Sequence, residues 1–100
     1  MSGDNLFTPK PAGTVFITSA GTSVSASLNR LGCRQVRIKN LDDTDLAYVN
    51  FGDSTVAASA ASSMPIGVGE TVGITLAEAW THAAVISTGA IVAFTPGNGL

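Results

Sequence analysis

From Thr14 onward, short stretches rich in β-branched residues alternate with turn signals: TVFITS, SVSASLN, RQVRIKN, LAYVNF, STVAAS, ETVGITL, HAAVIST and AIVAFT. Eight candidate strands in about 83 residues is the rhythm of a sandwich or barrel of antiparallel strands, and no segment carries a sustained helical period. The expected fold is all-β: a single β-sandwich or jelly roll of about eight short antiparallel strands. Eight short strands permit both jelly-roll and immunoglobulin-like windings.

The alternation is clearest in QVRIKN. Val36 and Ile38 face a core there, and Arg37 and Lys39 face outward. Turns are expected at Ala20-Gly21-Thr22, Leu41 to Asp45 and Thr88-Gly89. Two stretches resist the pattern. AASAASSM reads as an extended strand followed by a loop through Met64-Pro65-Ile66-Gly67. LAEAWTH reads as one helical turn or a loop, with Trp80 plugging an end of the sandwich. Ahead of the first strand, residues 1–12 carry Pro9 and Pro11 without periodicity and are expected to form an extended N-terminal arm on a domain spanning 13–100.

One hundred residues suffice for one core and no second lobe. Charged residues are 12% of the chain against about 25% in an ordinary soluble domain, so Ala, Ser, Thr and Gly must cover much of the surface. Such a surface suits contact with another protein. No apolar run approaches the ~18 residues of a membrane span, and MSGDNLFTPKPAG lacks the blocks of a secretion signal. A soluble chain without membrane contact is expected. A single cysteine, Cys33, excludes an internal disulfide and a cysteine-based zinc site. All five cations lie in residues 1–40, where Asp4 is the only acid, whereas residues 41–100 hold six acids and no cation. Such segregation suits docking on a charged lattice.

Phe51-Gly52-Asp53-Ser54 resembles the nucleophile block of Gly-Asp-Ser-Leu hydrolases. Thr55 stands where that family has leucine, however, and the only histidine, His82, has Ala79 where the family's orienting aspartate would be. The segment therefore reads as a turn between LAYVNF and STVAAS, with Gly52 at positive φ and Asp53 or Ser54 bonding local backbone, and no catalytic residue is expected. Asp42, Asp43 and Asp45 lack the glycine and terminal glutamate of a calcium loop and read as a solvated turn, so neither a metal nor a cofactor is expected. No aromatic side chain interleaves Arg30, Arg34, Arg37 and Lys39, and the isoelectric point is near 4.9; nucleic acid is not an expected partner.

The runs VRIKN, LAYVNFGDSTV, SMPIGVGETVGITL and THAAVIST and the ending AIVAFTPGNGL resemble small virion proteins encoded among the head genes of tailed bacteriophages, over roughly residues 34–100. The resemblance implies a capsid decoration, or cement, protein: a short β-sandwich or jelly roll, homo-oligomeric as a dimer or trimer, on the outer surface of the virion capsid. There it would clamp neighbouring major capsid proteins. From the residues themselves, Phe7, Pro9 and Lys10 of the arm and Arg34, Arg37 and Lys39 of the basic strand are the expected docking residues. A sugar- or receptor-binding module using Trp80, Tyr48 and His82, or a neck or tail-completion protein, are the alternatives.

Overall fold

Alternation becomes pairing in the computed structural model of the chain, which describes residues 8–98. Its strands are β1 (Thr8–Pro9), β2 (Val15–Thr18), β3 (Val24–Ser27), β4 (Gln35–Asn40), β5 (Ala47–Gly52), β6 (Met64–Ile66), β7 (Thr71–Thr75), β8 (His82–Ser87) and β9 (Ile91–Asn98). All pairings are antiparallel. Sheet A runs β1-β9-β4-β7, with β2 beside β1 on the same edge of β9, and sheet B runs β3-β8-β5-β6. From β2 onward every connection except β5 to β6 passes from one sheet to the other. That winding is a jelly roll and not an immunoglobulin-like sandwich.

Inward positions of the two sheets meet in one core of Phe94, Ile17, Ile38, Ile66, Val36, Val49, Val85 and Val92, with Phe51 and Trp80 packed against it. Connections gather at two ends. At one, buried Ser19, Asn40 and Ser87 tie the sheets together: Ser19 Oγ lies 2.7 Å from the Thr22 carbonyl and accepts the Ser87 N–H at 2.9 Å. At the other, the half-buried Arg30 guanidinium donates to the carbonyls of Cys33, Ala77 and Trp80 at 3.0–3.1 Å. Arg30 is thus a staple between two loops. Its neighbour Cys33 is buried and closes a turn by donating its N–H to the Arg30 carbonyl. No buried side-chain polar atom among the described residues lacks a partner. No helix among them is long and apolar enough to cross a membrane.

Four expectations change. AASAASSM is not a strand up to Met64: the Ser62 and Ser63 N–H groups both donate to the Ser59 carbonyl and fold it into a turn. STVAAS is not a strand. Asp53 Oδ1 captures the Thr55 N–H and hydroxyl, the Asn50 amide donates to the Ala57 carbonyl, and the Ala58 N–H donates to Ser23 Oγ. Side chains thereby take the backbone groups that a ladder would need. The segment lies across the outside of sheet B, where Ala84 points outward yet is 0% exposed. Met64-Pro65-Ile66, expected in a loop, is instead an edge strand on β5; an edge tolerates a proline because the missing N–H faces away from the ladder. Gly52 ends β5 and is not among the positive-φ residues, which are Gly21, Leu31, Gly32 and Gly69.

Of the arm expected over residues 1–12, residues 8–12 are described and are stitched to the sheet. β1 pairs with the end of β9, the Lys10 N–H donates to Pro96, and a 3-10 turn spans Pro11–Gly13. A Cβ at Gly13 would come within 2.6 Å of the Asn29 carbonyl oxygen and 2.7 Å of Pro96 Cγ. Only glycine lets this turn lie so close.

Candidate functional site

Register in sheet A composes a continuous outer face. One row across the strands reads Phe16, Ala93, Lys39 and Thr71; the next reads Thr95, Arg37 and Gly73, and beyond it come Gly97, Gln35 and Thr75. On the other side of the first row stand Thr18 and Ile91, beside Leu41, whose N–H donates to the Ile91 carbonyl. Phe16 is 62% exposed, Leu41 46% and Ile91 41%. Three large apolar side chains thus share one end of a face whose remaining positions are small residues with Gln35, Arg37 and Lys39.

Among the described residues these rows hold no carboxylate, and their charges are Arg37 and Lys39. Lys39 Nζ reaches the Gly69 carbonyl at 3.1 Å, which holds its ammonium at the margin of the face. Arg34 is not part of this group. It precedes β4 on the parity of Val36 and lines a 500 Å³ cleft at the Arg30 end, with Leu76, Glu78 and Thr81. Pro9 and Lys10 are exposed beside the far end of β9, and Phe7 lies outside the described residues. The structure therefore brings Arg37 and Lys39 together and leaves Arg34, Pro9 and Lys10 at the far end.

Phe16, Ile91 and Leu41 were missed in the sequence reading, though a signal was there. In VFIT and IVAF, Ile17 and Val92 take the inward parity, which leaves Phe16 and Ile91 as bulky residues on the outward one.

The other constellations resolve into local structure. His82 pairs with Gly52, so the histidine does stand beside Asp53 and Ser54, but its Nδ1 faces the Thr81 hydroxyl at 2.8 Å and Asp53 is occupied by Thr55. Gly52 closes β5, and Asp53 to Val56 form a turn held by the Asp53 carboxylate and the Val56 N–H on the Asp53 carbonyl. Trp80 is half-buried and stacks on Phe51 at 5.5 Å. Tyr48 and His82 lie on the outside of sheet B, at opposite ends of the β5–β8 pairing, about 13 Å apart along the strands. A single sugar platform does not form from the three.

Asp42 Oδ2 accepts the Asp45 N–H at 2.6 Å and the Thr44 hydroxyl at 3.0 Å. The described residues hold no cluster of three or more His, Cys, Asp or Glu placed for a metal ion.

These turn bonds give a pH dependence. The Asp45 backbone N–H, followed by Thr44, holds the Asp42 carboxyl below its ordinary value, and the Thr55 hydroxyl and N–H do the same for Asp53. A depressed folded-state pKa contributes stability that is present above the unfolded value near 4 and is lost as pH falls through the folded value. Denaturation midpoints are therefore expected to drop below about pH 4, and the Asp42→Asn, Asp53→Asn double variant should show a flatter acid limb. An unchanged limb would remove these two groups from the acid response.

No family model, curated relative or solved structure matches the chain.

Proposed function

We propose that this chain is a structural virion protein, a capsid decoration protein that seats on the outside of a phage head and clamps neighbouring major capsid proteins. The single observation that carries the reading is the outer face of sheet A. It is built largely from small side chains, it is free of carboxylates among the described residues, and it has Phe16, Ile91 and Leu41 exposed at one end, with Arg37 and Lys39 beside them. The apolar end of this face loses little on desolvation and presents an aromatic anchor, a residue type enriched among the hot spots of interfaces. Its cations favour an acidic neighbour and steer encounter with it.

Jelly rolls serve many functions, so the fold alone carries no weight here. It agrees with the resemblance of residues 34–100 to small virion proteins, whose activity is the stability of the lattice itself. Many copies, each burying a modest interface, hold a shell because simultaneous contacts to adjacent subunits raise the effective concentration of each contact.

The test is co-sedimentation of the purified protein with empty shells assembled from the major capsid protein of the same genome. Saturable binding is expected. Phe16→Asp should weaken it about tenfold, a loss of the size that truncating an interface anchor produces. Deletion of residues 1–7, which leaves β1 in place, measures what the arm adds. Failure of the full chain to bind shells, or full-strength binding by Phe16→Asp, would remove the proposal or its docking face respectively.

A further inference from the structure

The two sides of the sandwich are closed differently. On one side β2 and β3 pack against each other, and Pro9 follows along the edge of sheet A. On the other, sheet B ends in the three-residue β6 with Pro65, and sheet A ends in β7 above an open 360 Å³ cleft lined by Phe51, Met64, Ile74 and Trp80. Natural sheets protect edges with charge, proline, bulges or brevity. β7, Thr-Val-Gly-Ile-Thr, carries no charge and no proline, and its register with β4 runs without a bulge from Thr71 to Thr75.

The directions of its backbone groups follow from the ladder. Asn40 N–H donates to the Glu70 carbonyl and Leu76 N–H to the Arg34 carbonyl, so the even-numbered residues of β7 form the hydrogen-bonded pairs with β4. By antiparallel alternation the N–H and C=O groups of Thr71, Gly73 and Thr75 point away from β4, toward the free edge.

We propose that this edge pairs with β7 of a second copy, antiparallel about a two-fold axis at Gly73, joining the two A sheets into one. The segment is self-complementary: read in either direction it is threonine, branched aliphatic, glycine, branched aliphatic, threonine. The axis sets Thr71 against the partner's Thr75 and Gly73 against the partner's Gly73, the residues whose backbone groups face outward, and it sets Val72 against the partner's Ile74. Each residue meets the one that meets it, as an isologous contact requires.

Charge favours the same arrangement. Antiparallel packing lays the acidic end of one copy, with Asp42, Asp43 and Glu70, beside the other copy's end that carries Arg30 and Arg34. Continuing the register past the strand sets Glu70 opposite the partner's Leu76, two strands from the partner's Arg34 and about 10 Å away between backbones; Glu70 Oε1 accepts the Gly67 N–H of its own chain at 2.7 Å, so Oε2 is the atom that meets the guanidinium. Glu78 shares the Arg34 cleft, so the pair is tested by reversal and not by truncation. The segregation of charge along the sequence thereby acquires a geometric use. This inference stands independently of the decoration reading, since it needs no capsid.

Light scattering on the full chain across a concentration series is expected to give twice the monomer mass. Gly73→Cys, with the buried Cys33 left in place, should form a disulfide-linked dimer under oxidised glutathione, because facing residues of a hydrogen-bonded pair lie about 5.5 Å apart between Cα atoms, within disulfide range. Thr71→Cys should not, its two copies lying about 13 Å apart along the strands. Glu70→Lys and Arg34→Glu should each weaken the dimer about two- to fivefold, and their combination should restore it. A monomeric or trimeric full chain would overturn the proposal, the monomeric result leaving the edge to a strand of another protein. So would a dimer cross-linked through Thr71→Cys and not through Gly73→Cys.

Discussion

Phe94→Ala is expected to lower the free energy of unfolding by about 3–5 kcal/mol, the range for deleting a buried aromatic side chain. Phe94 is fully buried at the centre of β9, the strand that pairs with β2 on one side and β4 on the other, opposite Val15 and Ile38. Its ring meets Phe51 edge to face at 6.1 Å, and Phe51 in turn stacks on Trp80. The cavity therefore opens where both sheets meet, and the rigid strands around it cannot collapse to fill it. A domain of this size has about 5–15 kcal/mol in total, so the variant should give up a fifth or more of its stability. Phe94→Leu should recover part of the loss by restoring volume. Urea titration with Trp80 fluorescence reads both effects, because the ring relay from Phe94 to Trp80 loosens in the folded state as well. A Phe94→Ala loss below about 1 kcal/mol would mean that the core is not organised around this residue.

What the sequence disclosed depended on whether alternation or local hydrogen bonding governed a segment. QVRIKN separates buried from exposed residues by parity and forms its strand as read; AIVAFT also forms a strand, though there Ala93 is buried on the outward parity as well. STVAAS offers the same β-branched start, but Asp53, Asn50 and Ser23 supply side-chain partners that a propensity reading does not weigh. Met64-Pro65-Ile66 carries a proline that argues against a strand unless its place at an edge is known, and edge position follows from the order of the sheet. That order is set by which connections cross the sandwich, information that no single segment holds. The docking face was half legible for the same reason. Arg37 and Lys39 announce it by alternation, whereas Arg34, close in sequence, lies beyond the strand and turns to the other end. Phe16 joins the face only once β2 is paired with β9.

Asn40 is the polar residue on which the second large effect rests. It occupies the inward parity of β4 and is fully buried. Its amide donates to the Asp45 carbonyl at 2.9 Å and the Ile66 carbonyl at 3.2 Å, and its Oδ1 accepts the Asp42 N–H at 3.0 Å. One side chain thus joins sheet A, the turn after β4 and the edge strand of sheet B. Asn40→Leu keeps the volume but strips a partner from the buried Ile66 carbonyl and from the part-buried Asp45 carbonyl and Asp42 N–H, and should cost about 2–4 kcal/mol: a buried group left unpaired costs about 1–3, and the two part-buried groups lose less because water can reach them. Asn40→Asp separates packing from polarity. Its carboxylate would face two carbonyl oxygens with little water, which raises its folded-state pKa. A raised carboxyl pKa gives a contribution that is retained at low pH and lost as pH rises through the folded value, so this variant should be closer to wild type at pH 4 than at pH 7. Asp42, two residues away and held low by its turn, has the opposite sign. Denaturation curves for Asn40→Asp at the two pH values therefore test whether this end of the sandwich is held by the amide donor itself: an equal deficit at both would show that shape, not hydrogen bonding, is what Asn40 supplies.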